Sequence, residues 1–316
     1  MKAVRIHAYG GADVLRVETA ERPTPATGDL LVRVVAAGVN PVDHKLREGH
    51  LAAYVPLKLP WIPGADFSGV VEEVGASVST HKKGDAVYGK ADVPADGSYA
   101  EYVVVPAAHV AAKPHTLDHV RAAAVPLAAM TAWQALFGGT GKPSLELAPG
   151  QTLLVLGASG GVGSFAVQLA VARGAKVIGV VRAGARESEQ DAFVRSLGAS
   201  DVVDVESMTL HEKVDAILDL IGGPVQERAW AALKPGGAFA STMGAPSADL
   251  AQQHGARAIS IWTETSGSQL DELGALIDAG EIQVQVADVL GLDDARRAHE
   301  MLANGSVKGK LVLRVE

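Results

Sequence analysis

The stretch Leu153-Leu-Val-Leu-Gly157-Ala-Ser-Gly160-Gly161-Val-Gly163-Ser-Phe-Ala-Val-Gln-Leu-Ala170 constrains the fold more than any other. Its apolar run predicts a buried parallel strand, its glycines a tight turn, and Val162, Ala166, Leu169 and Ala170 the apolar face of a helix. The glycines therefore fall where a strand hands over to a helix N-terminus. Unpaired amides and the positive end of the helix dipole suit that position to a phosphate or another anion. The helix runs through Arg173 to Gly174, and Lys176-Val-Ile-Gly-Val-Val181 follows as the next strand, completing a βαβ unit.

Placed on the dinucleotide pattern G-x-G-x-x-G, the key positions are Ala158, Gly160 and Gly163, with Gly157 and Gly161 keeping the turn permissive. The same residues also fit G-x-S-x-G, a nucleophile elbow with Ser159 as nucleophile. Asp219, with His254 or His299, would then supply acid and base. Gly163 favours the dinucleotide reading, because close packing of helix on strand needs a glycine there and an elbow does not.

The residues after the second strand bear on which dinucleotide is bound. An NAD site ends that strand with Asp or Glu for the ribose hydroxyls, whereas here it runs Val180-Val181-Arg182, with Arg186 shortly after. An arginine fork suits a 2′-phosphate, so NADPH is the expected cofactor; the competing reading makes both arginines surface charge.

Net charge −8 and the lack of a basic run argue against a nucleic-acid binder. No apolar run approaches the roughly 20 residues of a membrane span, and no leader precedes the first strand, so a cytoplasmic protein is expected. Cysteine is absent, which excludes disulfides, thiol chemistry and thiolate metal sites.

Residues 1–121 read as a small β domain with long loops. Strands are expected at 2–6, 15–18, 30–35, 69–74 and 99–105, with a hairpin through 82–88. From Val120 helices and strands alternate. Strands at 201–204, 214–221, 238–242 and 258–262, with helices at 187–197, 225–233 and 269–279, predict a doubly wound parallel sheet over 122–280, with ligands at the strands' C-terminal ends. The tail, with strands at 282–286 and 310–315 around a helix at 293–302, is expected to rejoin the first domain.

With Ala37-Gly-Val-Asn40-Pro-Val-Asp43, Pro63-Gly-Ala-Asp66-Phe-Ser-Gly69-Val, Lys83-Gly-Asp85-Ala-Val, Thr131-Ala-Trp-Gln, the glycine turn and Gly309-Lys310-Leu-Val-Leu in place, the whole chain resembles the zinc-independent quinone oxidoreductase branch of the medium-chain dehydrogenase/reductase superfamily. The resemblance implies an α/β protein: a GroES-like β-rich catalytic domain made from 1–121 and 281–316, a Rossmann domain between them, and a homodimer. Zinc alcohol dehydrogenases of that superfamily carry Cys where Asn40 stands and His-Glu where Ala65-Asp66 stand, so no metal is expected. The reaction it implies is NADPH-dependent hydride transfer to a quinone or an α,β-unsaturated carbonyl. The enzyme must then position the acceptor and stabilise an enolate-like oxygen. The alternatives kept beside it are a non-catalytic NADPH-binding redox sensor and the Ser159 hydrolase.

By the same resemblance Asn40 lies near the nicotinamide ribose and the substrate carbonyl, with a loop-capping role as the competing reading. Asp43 orders that loop, and Asp66 is expected to bond backbone amides in a tight turn. Tyr54 is the candidate proton donor, in competition with bulk water. Thr131 is placed at the nicotinamide; Ser159, Gly160, Gly161, Val162 and Gly163 at the pyrophosphate; Ile221 and Gly222 at the adenine or ribose. Met243, Gly244 and Trp262 are placed along the nicotinamide, Trp262 being equally readable as core, and Lys308 near the cleft.

Overall fold

In the computed structural model, which describes residues 1–139, 141–182, 189–208, 210–305 and 307–316, the chain divides between residues 127 and 128 and again between 264 and 265. The first unit, 1–127 with 265–316, is β-rich. Strands β1 (Lys2–Arg5) and β2 (Arg16–Thr19) form an antiparallel pair. A larger sheet uses β3 (Asp29–Val39), β4 (Asp66–Val74), β5 (Ala86–Lys90), β6 (Tyr102–Pro106) and β7 (Val110–Ala112). Helix α1 (Pro41–Arg47) lies between β3 and β4, α2 (His119–Ala123) follows β7, and α3 (Pro126–Phe137) carries the chain onward.

The second unit, 128–264, holds β8 (Thr152–Leu156), α4 (Gly161–Ala172), β9 (Lys176–Val181), α5 (Glu189–Ser196) and β10 (Asp201–Asp204). They are followed by β11 (Val214–Asp219), α6 (Gly223–Ala229), β12 (Leu233–Ser241), α7 (Ala248–Gln253) and β13 (Arg257–Ser260). All six strands are parallel, in the order β10-β9-β8-β11-β12-β13. That order reverses direction beside β8, the topological switch point of a doubly wound sheet. Leu153 to Leu156 are fully buried, as a strand covered on both faces requires. Trp230 stacks on Phe239 at 4.5 Å in the same core.

The chain returns to the first unit with α8 (Gly267–Asp278), β14 (Val286–Gly291), α9 (Ala295–Ala303) and β15 (Lys310–Arg314). The nucleotide domain expected over 122–280 is thus shorter at both ends. Helix α8, expected to close the parallel sheet, belongs to the first unit instead. The Tyr88 hydroxyl donates to the Leu270 carbonyl, and Gly267 lies so near Ala108 and Val110 that a Cβ would stand 2.7 Å from both carbonyls. Periodicity gave the helix but not its partner. The alternation Ile282-Gln-Val-Gln-Val286 is not a strand up to Val286, where β14 begins; Ile282 is buried and Val284 packs beside Ala36, Ala123 and Val312 without a ladder.

Strand β3 organises the first unit. Its early residues pair with β6, Leu30 opposite Val105, and its last residues pair with β15, Val39 opposite Leu311. On its other side Gly38 faces Asp66 of β4, and Asp66 faces Lys90 of β5. Asn40, Asp66, Lys90 and Lys310 therefore collect at one end of one sheet.

Candidate active site

In the second unit the glycine turn has the geometry its sequence predicts. Gly157 leaves β8 with φ +85°, a left-handed conformation that favours glycine. The Gly157 and Ala158 amides both donate to the Val180 carbonyl of β9, at 3.1 and 3.2 Å. Gly160 caps α4, and Gly163 lies so close to the strand end that a Cβ would stand 2.2 Å from the Gly157 carbonyl oxygen. The first turn of α4 is thereby pressed onto β8, its N–H groups directed to the sheet's C-terminal edge.

Three neighbouring loops extend that edge. A Cβ on Gly157 would touch Ile221, and one on Gly222 would touch Met243, so the turns after β8, β11 and β12 lie in a row. Asp219, the fully buried last residue of β11, ties two of them. Its Oδ1 accepts the amides of Ile221 and Gly222 at 3.0 and 2.9 Å; its Oδ2 accepts Gln226 Nε2 at 2.7 Å and the Ser241 hydroxyl at 2.8 Å. Ser241 Oγ in turn accepts the Met243 amide. Ile221, Met243 and Trp262 are 38%, 43% and 59% exposed, which leaves large apolar surfaces uncovered at the edge where a doubly wound sheet takes its ligand. Trp262 is therefore not core. Gly244 is exposed, and Thr131 on α3 is buried with its hydroxyl 2.6 Å from that of Thr263, beside Trp262.

Arg182 is exposed immediately after β9, while Arg186 lies outside the described residues. Ser159 and Val162 are half-buried in the turn and first helical turn. The groups a hydrolase triad would use are engaged elsewhere: Asp219 is bonded as above, His254 packs against Trp230, and both ring nitrogens of His299 are bonded, to Arg47 and Tyr99. The glycine cradle, the row of loops and their exposed apolar side chains fit a dinucleotide.

In the first unit, Asn40 is the N-cap of α1, a helix missed in the sequence because Asn-Pro was read as a turn. Pro41 at the first helical position and Asp43 two residues on form a helix start in which Asp43 Oδ2 accepts the Asn40 amide at 2.8 Å. Asp43 Oδ1 accepts the Ala65 amide at 3.2 Å, and the Tyr99 hydroxyl donates to Oδ2 at 3.3 Å. Burial raises the Asp43 carboxyl to about 7, further helped by Asp66 and opposed by the Asn40 amide and Lys310.

Asp66 does not sit in a tight turn. It opens β4, where Oδ1 accepts the Leu127 amide at 2.8 Å and Oδ2 accepts Asn40 Nδ2 at 3.0 Å. The Lys310 ammonium, 4% exposed, donates to Asn40 Oδ1 and to the Val39 carbonyl and lies 3.4 Å from Asp66 Oδ2. The oxygens that a divalent cation would need are thus already held by an ammonium, so this donor set does not fit a metal. Lys90, also buried, donates to Thr265 Oγ1 at 2.9 Å, and burial lowers its pKa.

Tyr54 is 85% exposed in the turn after α1. Lys308 is half-buried, two residues before the lysine that reaches Asn40. Sequence reasoning missed Lys310 as a site residue and gave Asp219 only to the hydrolase; the available signals were a lone charge opening an apolar strand and a carboxylate closing one.

A parallel sheet with a glycine turn at its switch point, inserted into a mostly antiparallel β unit with a buried polar cluster, defines the class of two-domain dinucleotide oxidoreductases. Residues 26–115 match the alcohol dehydrogenase GroES-like domain and residues 197–313 the family described as zinc-binding dehydrogenase. The chain is 34% identical to the mitochondrial NAD(P)H oxidoreductase RTN4IP1 of Danio rerio, over 100% of this chain and 91% of that protein. It is 32% identical to quinone oxidoreductase of Mus musculus (99% and 97%) and 35% identical to 2-methylene-furan-3-one reductase of Solanum lycopersicum (99% and 79%). Among solved structures, the quinone oxidoreductase from Coxiella burnetii superposes with TM-score 0.88 at 31% identity, covering 100% of this chain and 99% of that one. Mycobacterial Rv1454c complexed with NADPH superposes with TM-score 0.85 at 28% identity, covering 100% of both. The chain belongs to the zinc-independent quinone oxidoreductase branch of the medium-chain dehydrogenase/reductase superfamily, and it is an oxidoreductase using a nicotinamide cofactor.

Proposed function

We propose that this chain reduces a quinone or an α,β-unsaturated carbonyl with NADPH, the second unit holding the nucleotide and the Asn40 cluster acting on the acceptor's oxygen. The observation that carries the reading is the Asn40 amide, clamped between Lys310 and Asp66 where a metal would otherwise polarise a carbonyl. NADPH, when bound, supplies the hydride. The amides at the start of α4 receive the pyrophosphate, Arg182 pairs with the 2′-phosphate, and Ile221, Met243 and Trp262 cover the cofactor's apolar faces. Asn40 Nδ2 donates to the acceptor oxygen as negative charge develops on it. Conjugate acceptors suit such a site, because they need an oxyanion donor and no Lewis acid to lower an alcohol's pKa. Relatives named for quinone and 2-methylene-furan-3-one reduction, and a neighbour complexed with NADPH, support the reading.

Fluorescence titration with NADPH and NADH, on the wild type and on Arg182→Ala, tests the cofactor. The wild type is expected to prefer NADPH by about tenfold or more, and the variant to lose that preference. Equal binding of both nucleotides by the wild type would remove NADPH specificity. NADPH oxidation with a benzoquinone and with an enone tests the acceptor; no turnover with either would overturn the reaction. We further propose a homodimer, for which β13 offers the outer edge of the parallel sheet; light scattering of the purified protein at the monomer mass would refute it.

A further inference from the structure

We propose that Lys310 is the positioning residue of the reaction: its ammonium sets the rotation of the Asn40 amide and polarises it toward the acceptor's oxygen. The inference rests on the assignment of Asn40 made above. Asn40 and Lys310 are 2% and 4% exposed, and the ammonium reaches the amide from β15, a strand 270 residues away in sequence.

The contacts leave the amide one orientation. Oδ1 faces a cation that can only donate, and Nδ2 faces the Asp66 carboxylate, which accepts at 3.0 Å. Exchanging oxygen and nitrogen would set N–H against ammonium and oxygen against carboxylate, so the exchanged state is excluded. Nδ2 carries two hydrogens. One goes to Asp66; the other has only the Gly38 carbonyl at 3.5 Å, too far for a sound bond. That second hydrogen is the donor left for an acceptor's oxygen. A cation on Oδ1 withdraws electron density from the amide nitrogen, and in a site shielded from water this polarisation strengthens the remaining N–H as a donor.

Part of the charge is structural: the ammonium lies 3.4 Å from the fully buried Asp66 carboxylate and donates to the Val39 carbonyl. Lys310 is followed by Leu311, Val312 and Leu313, all fully buried, and a buried ion pair costs desolvation that an apolar residue at the same place would avoid. Asp66 already has the Leu127 amide and Asn40 Nδ2 as donors. Beyond balancing Asp66, what the ammonium adds is its contact with Asn40 Oδ1.

The test is a double-mutant cycle of Lys310→Met and Asn40→Ala, read as kcat for an enone at saturating NADPH, with the NADPH Kd measured separately. Asn40→Ala is expected to lower kcat about 100-fold, and Lys310→Met about tenfold with NADPH Kd held within about twofold, the size of a lost oxyanion donor and of a weakened one. The double variant is expected to be no slower than Asn40→Ala, because Lys310 acts only through that amide. Multiplying losses, or an unchanged kcat in Lys310→Met, would overturn the role of Lys310 while leaving Asn40 in place. A wild-type kcat in Asn40→Ala would instead remove Asn40 from the reaction, and the proposal with it. Should Lys310→Met alone not fold, Lys310→Met with Asp66→Asn removes both charges together. Added to Asn40→Ala, that pair of substitutions is expected to cost nothing further, and a further loss there overturns the proposal.

Discussion

Asp43 and His299 pull the pH dependence of stability in opposite directions from one hydrogen-bonded cluster. Arg47 Nη1 donates to His299 Nδ1 at 3.0 Å, which leaves His299 Nε2 to donate to the Tyr99 hydroxyl at 3.3 Å, and that hydroxyl donates on to Asp43. Burial, then Arg47 and His44, lowers His299 to about 3. Folded His299 thus stays neutral while the unfolded side chain takes up a proton below about 6.5, so its contribution to stability is lost as pH falls through that window. Asp43, held at about 7 chiefly by burial, keeps its proton in the folded state while the unfolded carboxyl releases it above about 3.9. Its contribution is therefore lost as pH rises toward 7. Between about pH 4 and 6.5 the two slopes oppose each other. Asp43→Asn removes one of them, so urea unfolding free energies should rise with pH over this window more steeply than in the wild type, by up to about 1.4 kcal/mol per unit. Parallel slopes in the two proteins would show that Asp43 is not held protonated.

At the scale of elements, the junction of β8 with α4 depends on Gly163. An alanine there would drive its Cβ to 2.2 Å from the Gly157 carbonyl and 2.8 Å from Ala158 Cα, both backbone atoms that cannot swing aside. Gly163→Ala is expected to cost about 1–3 kcal/mol in urea unfolding, the range for overpacking, and to weaken NADPH binding by more than tenfold because the helix start moves with the turn. Gly28→Ala, where no atom lies within 4 Å of the added Cβ, is the neutral comparison. An unaltered NADPH affinity in Gly163→Ala would refute the cradle. This junction was legible because its strand, turn and helix are consecutive residues, each obeying a local rule. The parallel, doubly wound character of the sheet followed from the same alternation. Lys310 was not legible, since its meaning comes from Asn40 across β3 and β15. Nor was the placement of α8, whose period describes an amphipathic helix equally well against either sheet. Trp262 had two readings in sequence because a tryptophan serves as core or as pocket wall, and its exposure decided between them.

At the scale of the whole molecule, the second unit is an insertion into the first. The chain leaves the first unit after Leu127 and re-enters it at Thr265. Just inside the insertion its two ends are tied together: Gln134 Nε2 donates to the Glu264 carbonyl at 2.8 Å, the Glu264 amide donates to Gln134 Oε1 at 2.9 Å, and the Thr131 and Thr263 hydroxyls pair. While the second unit is folded, the first finds its two segments already brought together. Once the second unit unfolds, the first must close a loop of about 140 residues, which costs about 5 kcal/mol by chain entropy. That is a large part of the roughly 5–15 kcal/mol that stabilises a domain, so the first unit is expected to unfold with the second. A ligand of the second unit should then protect both. At about 100 times its Kd, NADPH stabilises its host by about 2.7 kcal/mol, so hydrogen exchange of the slowest amides should slow by about 100-fold in β3 and β4 as well as in β8 and β11. Slowing confined to β8 and β11 would mean that the first unit withstands the open loop, and the coupling through the chain crossings would fall.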